Sequence, residues 1–195
     1  MKVIFGIGNP GKNYEHTRHN IGFQILDSFV EKYKLQFVPS KSEYWKAESI
    51  IDSSAFILIK PTTYVNNSGL IFLELIEKYN LSAEDILVVV DDINLDLGKL
   101  RIRKSGGDGG HNGLKSIIYN IESNNFPRIR VGITNPTEDE NLSDYVLSNF
   151  TNKETEIINN NSSLIIKLIE NFIIGGTSQM LNLYSEVKNL SDKET

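Results

Sequence analysis

The chain has 195 residues, no cysteine and three histidines, His16, His19 and His111. Thiol nucleophiles, disulfides and cysteine-held zinc are therefore excluded, and proton transfer near neutral pH falls to imidazole. His19 stands in Arg18-His19-Asn20, which closes a glycine-containing loop and abuts an expected helix N-terminus. That position disfavours imidazolium and should lower the pKa of His19. A neutral imidazole takes a proton from water, a contribution of about 10²–10⁴-fold for a general base. Such a base needs an orienting carboxylate. Asp91 and Asp92 follow the apolar run 86–90, at the expected carboxyl end of a strand. We take Asp91 as the candidate partner, with turn formation as the alternative role for the pair. His16 needs no role beyond the surface. A three-histidine metal site is formally possible, but His16 and His19 lie three apart in a loop with no carboxylate-rich box beside them.

Neutral polar groups cluster in two further loops. Asn66-Asn67-Ser68-Gly69 follows Lys60-Pro61, and glycines at 106, 107, 109 and 110 lead into His111-Asn112-Gly113. Asparagine offers a donor and an acceptor without charge. It suits orienting a water or an oxyanion, where one donor is worth about 10²–10³-fold. Asn112 could instead cap the helix that follows. The first loop, Gly6-Ile7-Gly8-Asn9-Pro10-Gly11, matches the dinucleotide fingerprint and raises a nicotinamide oxidoreductase as one reading. Its context differs: the helix starts only at Asn20, and the acidic residue would fall mid-helix, at Asp27 or Glu31.

Charge is unevenly spread. The net charge is -5, yet residues 99–130 carry seven basic and two acidic side chains, a local charge of +5. Alternation puts Lys99, Arg101 and Arg103 on one face of a strand, and Arg128 and Arg130 on one face of another. A basic island on an acidic protein suits a polyanion, through contacts that position it without reading sequence.

These residues need a scaffold. Composition is ordinary for a globular chain, 39% hydrophobic and 23% charged. No sequence run approaches the ~18 apolar residues of a membrane span. Strand-like runs at 2–7, 44–51, 55–60, 86–90 and 128–133 alternate with helical periods from Asn20, from Ser68 or Gly69, over 112–121, and from the Thr151/Glu154 capping box to Gly175-Gly176. A last helix starts at Thr177 or Ser178. The pattern predicts an α/β fold: a single-domain three-layer sandwich with a twisted mixed β-sheet flanked by helices, spanning 1–187, with 188–195 as a frayed tail.

The ordered blocks resemble a known family. Gly6-Ile7-Gly8-Asn9-Pro10-Gly11, Tyr14, Thr17-Arg18-His19-Asn20 and Gly22 resemble the N-terminal signature of bacterial peptidyl-tRNA hydrolases. Lys60-Pro61, Thr63-Tyr64, Asn66 and Ser68-Gly69 are similar to a second block, and the run from Gly106 to Ile117 to a third. Segments 126–133 and 145–150 are similar to later ones. The chain departs from the family pattern at Val65, Asn94, Asp96 and Ser105. The resemblance implies a cytoplasmic, monomeric esterase that cuts the bond between a peptide and the 3′ end of its tRNA, recycling tRNA from released or stalled peptidyl-tRNA. It implies no metal and no organic cofactor, and peptidyl-tRNA as partner, with stalled large ribosomal subunits among its sources. It further implies His19 as base, Asp91 as orienting carboxylate and Asn9 as sensor of the acylated nitrogen. Tyr14, Tyr64, Asn66 and Asn112 would contact tRNA around the ester, while Arg103 and Arg130, helped by Lys104, would clamp the tRNA 5′-phosphate. The rival readings are the oxidoreductase and an RNA-binding module without chemistry.

Overall fold

The computed structural model describes residues 1–134 and 141–191. Seven strands form one mixed sheet: β1 (Lys2–Gly6), β2 (Val38–Pro39), β3 (Tyr44–Ile51), β4 (Ser54–Pro61), β5 (Ile86–Asp96), β6 (Leu100–Arg103) and β7 (Arg128–Thr134). Their order is β2-β3-β4-β1-β5-β7-β6. The central β4, β1, β5 and β7 run parallel, and antiparallel strands close both sides. The helices are α1 (Ile21–Tyr33), α2 (Ser68–Tyr79), α3 (Asn112–Ile121), α4 (Leu142–Val146) and α5 (Asn152–Ser191). α1 and α5 cover one face of the sheet, α2 and α3 the other.

The local chemistry accounts for these elements. Residues 86–90 of β5 are all 0% exposed, as expected of a strand covered on both faces. Asp52 and Ser53 turn the β3–β4 hairpin with positive φ at both positions, the geometry that matches strand twist. α1 buries Ile21, Ile25, Leu26 and Phe29 along one stripe. Gly22 lets α1 lie against the backbone; a Cβ there would stand 2.5 Å from the carbonyl oxygens of Ile7 and Val89. That close approach presses the helix start onto the ends of β1 and β5.

The break expected at Gly175-Gly176 is present: Gly176, with φ 69°, is non-helical, and α5 consists of two helical stretches that meet at a kink there. Phe172 and Met180, both 0% exposed, pack into the core on either side of the kink. The helix then continues to Ser191, so 188–191 are helical; residues 192–195 lie outside the described residues. α5 is also long and apolar enough, by length and composition, to span a membrane. Here its stripe of Ile165, Leu168, Ile169 and Phe172 is spent on the sheet.

β1 and β5 are parallel neighbours, with Gly6 level with Val89. From β1 the chain runs to the β2–β4 side, and from β4 it crosses to β5 on the other side of β1, so the crevice beyond their carboxyl ends is a topological switch point. The loop carrying His19 leaves β1 there. Asp91 stands two residues beyond the last β1 pairing, at the open rim.

Candidate active site

His19 and Asp91 meet at this rim. Nδ1 of His19 lies 3.0 Å from Oδ1 of Asp91. Nε2 of His111 approaches the same oxygen at 2.8 Å. The network assigns both protons. His111 Nδ1 accepts the backbone N–H groups of Gly113 and Leu114, at 3.1 and 3.3 Å, so it carries no hydrogen. The proton of His111 is then on Nε2 and is donated to Asp91, and the ring is neutral. His19 likewise donates from Nδ1, which leaves its Nε2 lone pair without a protein partner among the described residues. Nε2 is the atom a general base needs.

Burial alone would lower the pKa of His19. The charge of Asp91 and its hydrogen bond outweigh burial, and the net shift is upward from 6.5. This corrects the lowering expected from a helix N-terminus. Burial pushes the Asp91 carboxyl up, but the two donating imidazoles prevail and hold it well below the usual carboxylate range. The nitrogen and oxygen ligand atoms of His19, Asp91 and His111 lie within 4.8 Å of one another, close enough in principle for a metal. The donor set does not fit one: His111 would have to surrender either its Nε2 proton or its cap on α3.

The helix cap also differs from expectation. His111, not Asn112, caps α3, which frees the Asn112 side chain. Asn20 does not cap α1. Its carboxamide instead clamps Asn9 on both sides, accepting from Asn9 N–H at 2.8 Å and donating to Asn9 C=O at 2.9 Å. Asn9 Oδ1 accepts the Val65 N–H at 3.0 Å, tying the first loop to the turn that carries Asn66. Tyr14 and Tyr64 meet edge to face, ring centres 6.4 Å apart. A cleft of about 360 Å³ is lined by His19, Asp91, His111 and Asn112 together with Leu142 and Val146 of α4. Asn112 also borders a neighbouring cleft with Asn66 and Lys115.

Arg18 anchors this loop from behind. It is 5% exposed and its guanidinium reaches both carboxylate oxygens of Glu154 at 2.9 and 2.8 Å, Ser148 Oγ at 2.6 Å and Asn149 C=O at 2.6 Å. It lies 4.2 Å above the Tyr145 ring. Arg18 therefore joins the His19 loop to α4 and α5. Arg18→Ala strands Glu154, whose side chain is 12% exposed, and should destabilise the chain by about 3 kcal/mol. Denaturant titration checks this; a midpoint shift near zero would remove the anchor from the account.

The basic strands split into unlike roles. Arg101 pairs across β6–β7 with Arg130, and Arg103 with Arg128. Arg128 is 1% exposed and does not belong to an open basic face. It donates to the carbonyls of Gly106 and Asn124 at 2.8 and 2.9 Å and stacks 4.0 Å from the Phe126 ring. Burial, then the neighbouring Arg130, lower its pKa to about 10. It tethers the glycine loop. Arg130 is paired with Asp92, Nε to Oδ2 3.0 Å, and donates to the Asp108 carbonyl at 3.0 Å. Arg103 and Lys104 are exposed, and among the described residues neither pairs with a carboxylate.

Fold and site together describe an oriented imidazole at the switch point of an α/β sheet, beside a partly basic edge. A family model described as peptidyl-tRNA hydrolase matches residues 3–193. A protein from Clostridium botulinum strain Hall, named peptidyl-tRNA hydrolase, is 42% identical over 188 residues, covering 96% of this chain and 98% of its own. A peptidyl-tRNA hydrolase crystal structure from Acinetobacter baumannii superposes with a TM-score of 0.86 at 30% identity, covering 94% of this chain and 93% of its own. A complex of peptidyl-tRNA hydrolase with N-propanol gives a TM-score of 0.87, also at 30% identity, covering 94% and 93%. The chain belongs to the peptidyl-tRNA hydrolase family, hydrolases of the peptidyl-tRNA ester bond.

Proposed function

We propose that His19 is the general base of this hydrolysis and that Asp91 orients it. The observation that carries the reading is the 3.0 Å contact between His19 Nδ1 and Asp91, which leaves Nε2 uncommitted in a ring that lines the cleft. Nε2 takes a proton from water while the water oxygen attacks the ester carbonyl. Asn112 and Asn66 supply neutral donors to the oxyanion. The intermediate expels the 3′-terminal ribose oxygen, the imidazolium returns its proton to that oxygen, and free tRNA and a peptide carboxylic acid leave. An ester is activated enough that water and one oriented base suffice. Asn9 favours an acylated nitrogen, and Tyr14 and Tyr64 offer ring faces to ribose or base. The enzyme would act as a cytoplasmic monomer and draw substrate from released or stalled peptidyl-tRNA, including stalled large ribosomal subunits. Release of labelled peptide from purified peptidyl-tRNA tests the reading. Binding without release would favour the RNA-binding module instead.

Arg103, Lys104 and Arg130 fall to the tRNA 5′-phosphate in this reading. Their settings give them different weights. Arg103→Ala should weaken tRNA binding and reduce the slope of log affinity against log salt by about 1. Arg130→Ala should lose more, because Asp92, 1% exposed in its side chain, then keeps, among the described residues, only the longer 3.9 Å ion pair with Arg101. Filter binding across a salt series checks both; a slope unchanged in Arg103→Ala would reduce that arginine to a solvated surface group.

A further inference from the structure

We propose that a second cleft, on the α1 side of the site, receives the peptide side chain one residue removed from the ester. The inference rests on the reading of Asn9 given above. This cleft, of about 510 Å³, is lined by Asn9, Asn20, Phe23, Phe37, Trp45 and Lys60 among others. Trp45 is the only tryptophan of the chain and is 42% exposed. A large aromatic side chain open to solvent in a concave lining that also holds Phe23 and Phe37 is the kind of surface that holds an apolar ligand.

Charge decides between peptide and nucleotide. Lys60 is neutralised inside the cleft: its Nζ lies 2.7 Å from each Asp27 carboxylate oxygen, and 5.1 and 4.9 Å from the ring centres of Phe23 and Phe37. Lys12 and Glu15, also on the lining, offset one another. The lining carries two basic and two acidic side chains and so has no net charge to draw phosphate. Arg103 lies elsewhere, on β6 at the far edge of the sheet, with its side chain on the face opposite Ile102 and α1. An RNA backbone is drawn to that edge, and the α1 cleft is left to an uncharged chain.

Continuity with the site supplies the rest. The Asn9 backbone is fixed by Asn20, its Oδ1 is taken by Val65, and its Nδ2 has no partner among the described residues. If Asn9 donates to the first peptide bond, the next Cα lies within about 3.8 Å of the one before it. Its side chain then starts at the mouth of the cleft that Asn9 borders.

The test uses two peptidyl-tRNAs that share the tRNA and the ester-linked residue and carry Gly or Phe next to it. The native enzyme should favour Phe about tenfold in kcat/KM, and Trp45→Ala should bring the ratio close to one. A ratio within one preparation is unaffected by any loss of folded protein. In a His19→Ala background, Trp45 emission should shift on adding the Phe-bearing peptidyl-tRNA and stay unchanged with deacylated tRNA. Equal ratios in native and Trp45→Ala enzymes overturn the proposal. So does an equal shift with deacylated tRNA, which would give the cleft to nucleotides. Failure of the native enzyme to hydrolyse either substrate is a distinct result and would overturn the hydrolase chemistry beneath the proposal.

Discussion

His19→Ala should lower kcat by about 10²–10⁴-fold while tRNA affinity stays within a few fold. The removed imidazole supplies Nε2, the one basic nitrogen of the pair of rings that is not already committed. His111 cannot replace it: its Nδ1 caps α3 and its Nε2–H is given to Asp91. Affinity survives because Arg103 and Lys104 lie outside the His19 cleft. The same ring sets the pH profile. The pKa of His19 is raised above 6.5, so kcat/KM of the native enzyme should climb with pH with a midpoint above that value. The stability linked to His19 runs the other way. It is fully present below 6.5, where the ring is charged in both folded and unfolded chains, and is lost as pH rises through the folded pKa. Activity and this share of stability therefore trade against each other over one pH interval. A variant with near-native turnover, or an acid limb unchanged by the substitution, would take His19 out of the mechanism.

Local signals in the sequence expose most of the scaffold. The run 86–90, the Asp52-Ser53 turn and the apolar stripe of α1 each declare an element without help from distant residues. The His19–Asp91 pair is legible because topology follows from them: adjacent parallel strands bring the ends of β1 and β5 to one rim. The third member of the cluster is not. His111 reaches Asp91 only because α3 packs beside β5, a contact that spacing does not encode; its place directly before a helix was the available hint of a cap. Alternation correctly puts Arg128 and Arg130 on one face but cannot tell that Phe126 and the glycine loop bury the first of them. Asn20 reads as a cap because it precedes a helix, whereas the clamp on Asn9 depends on how the loop folds back. The paired glycines at 175–176 read as a stop, and Gly176 does break the helix there, while Phe172 and Met180 seat the stretches on either side of the kink in the core.

Asp91→Asn isolates charge from geometry. Both rings donate to one oxygen, Oδ1 of Asp91. A carboxamide presents one oxygen and one NH₂ in place of two equivalent oxygens. With NH₂ toward the rings, two donors would face a third. His111 cannot relieve that clash by moving its proton, because its Nδ1 already accepts from Gly113 and Leu114. The amide oxygen is therefore held toward the rings, His19 keeps its proton on Nδ1, and the base keeps its orientation. The lost element is the negative charge that favours imidazolium. Turnover should fall by about 10²-fold, equivalent to about 2.7 kcal/mol of barrier. With the charge gone, burial of His19 is unopposed, so the acid limb of kcat/KM should move from above 6.5 to below it. Asp91 also ceases to stabilise the fold through its depressed pKa, a contribution that in the native chain is present above the ordinary 3.8 and lost as pH falls. Asp91→Ala should be worse on both counts, because two buried ring N–H groups lose their acceptor at about 1–3 kcal/mol each. A pH–rate profile decides the matter: a loss of rate with the acid limb unmoved in Asp91→Asn would leave Asp91 a packing residue and His19 without its electrostatic partner.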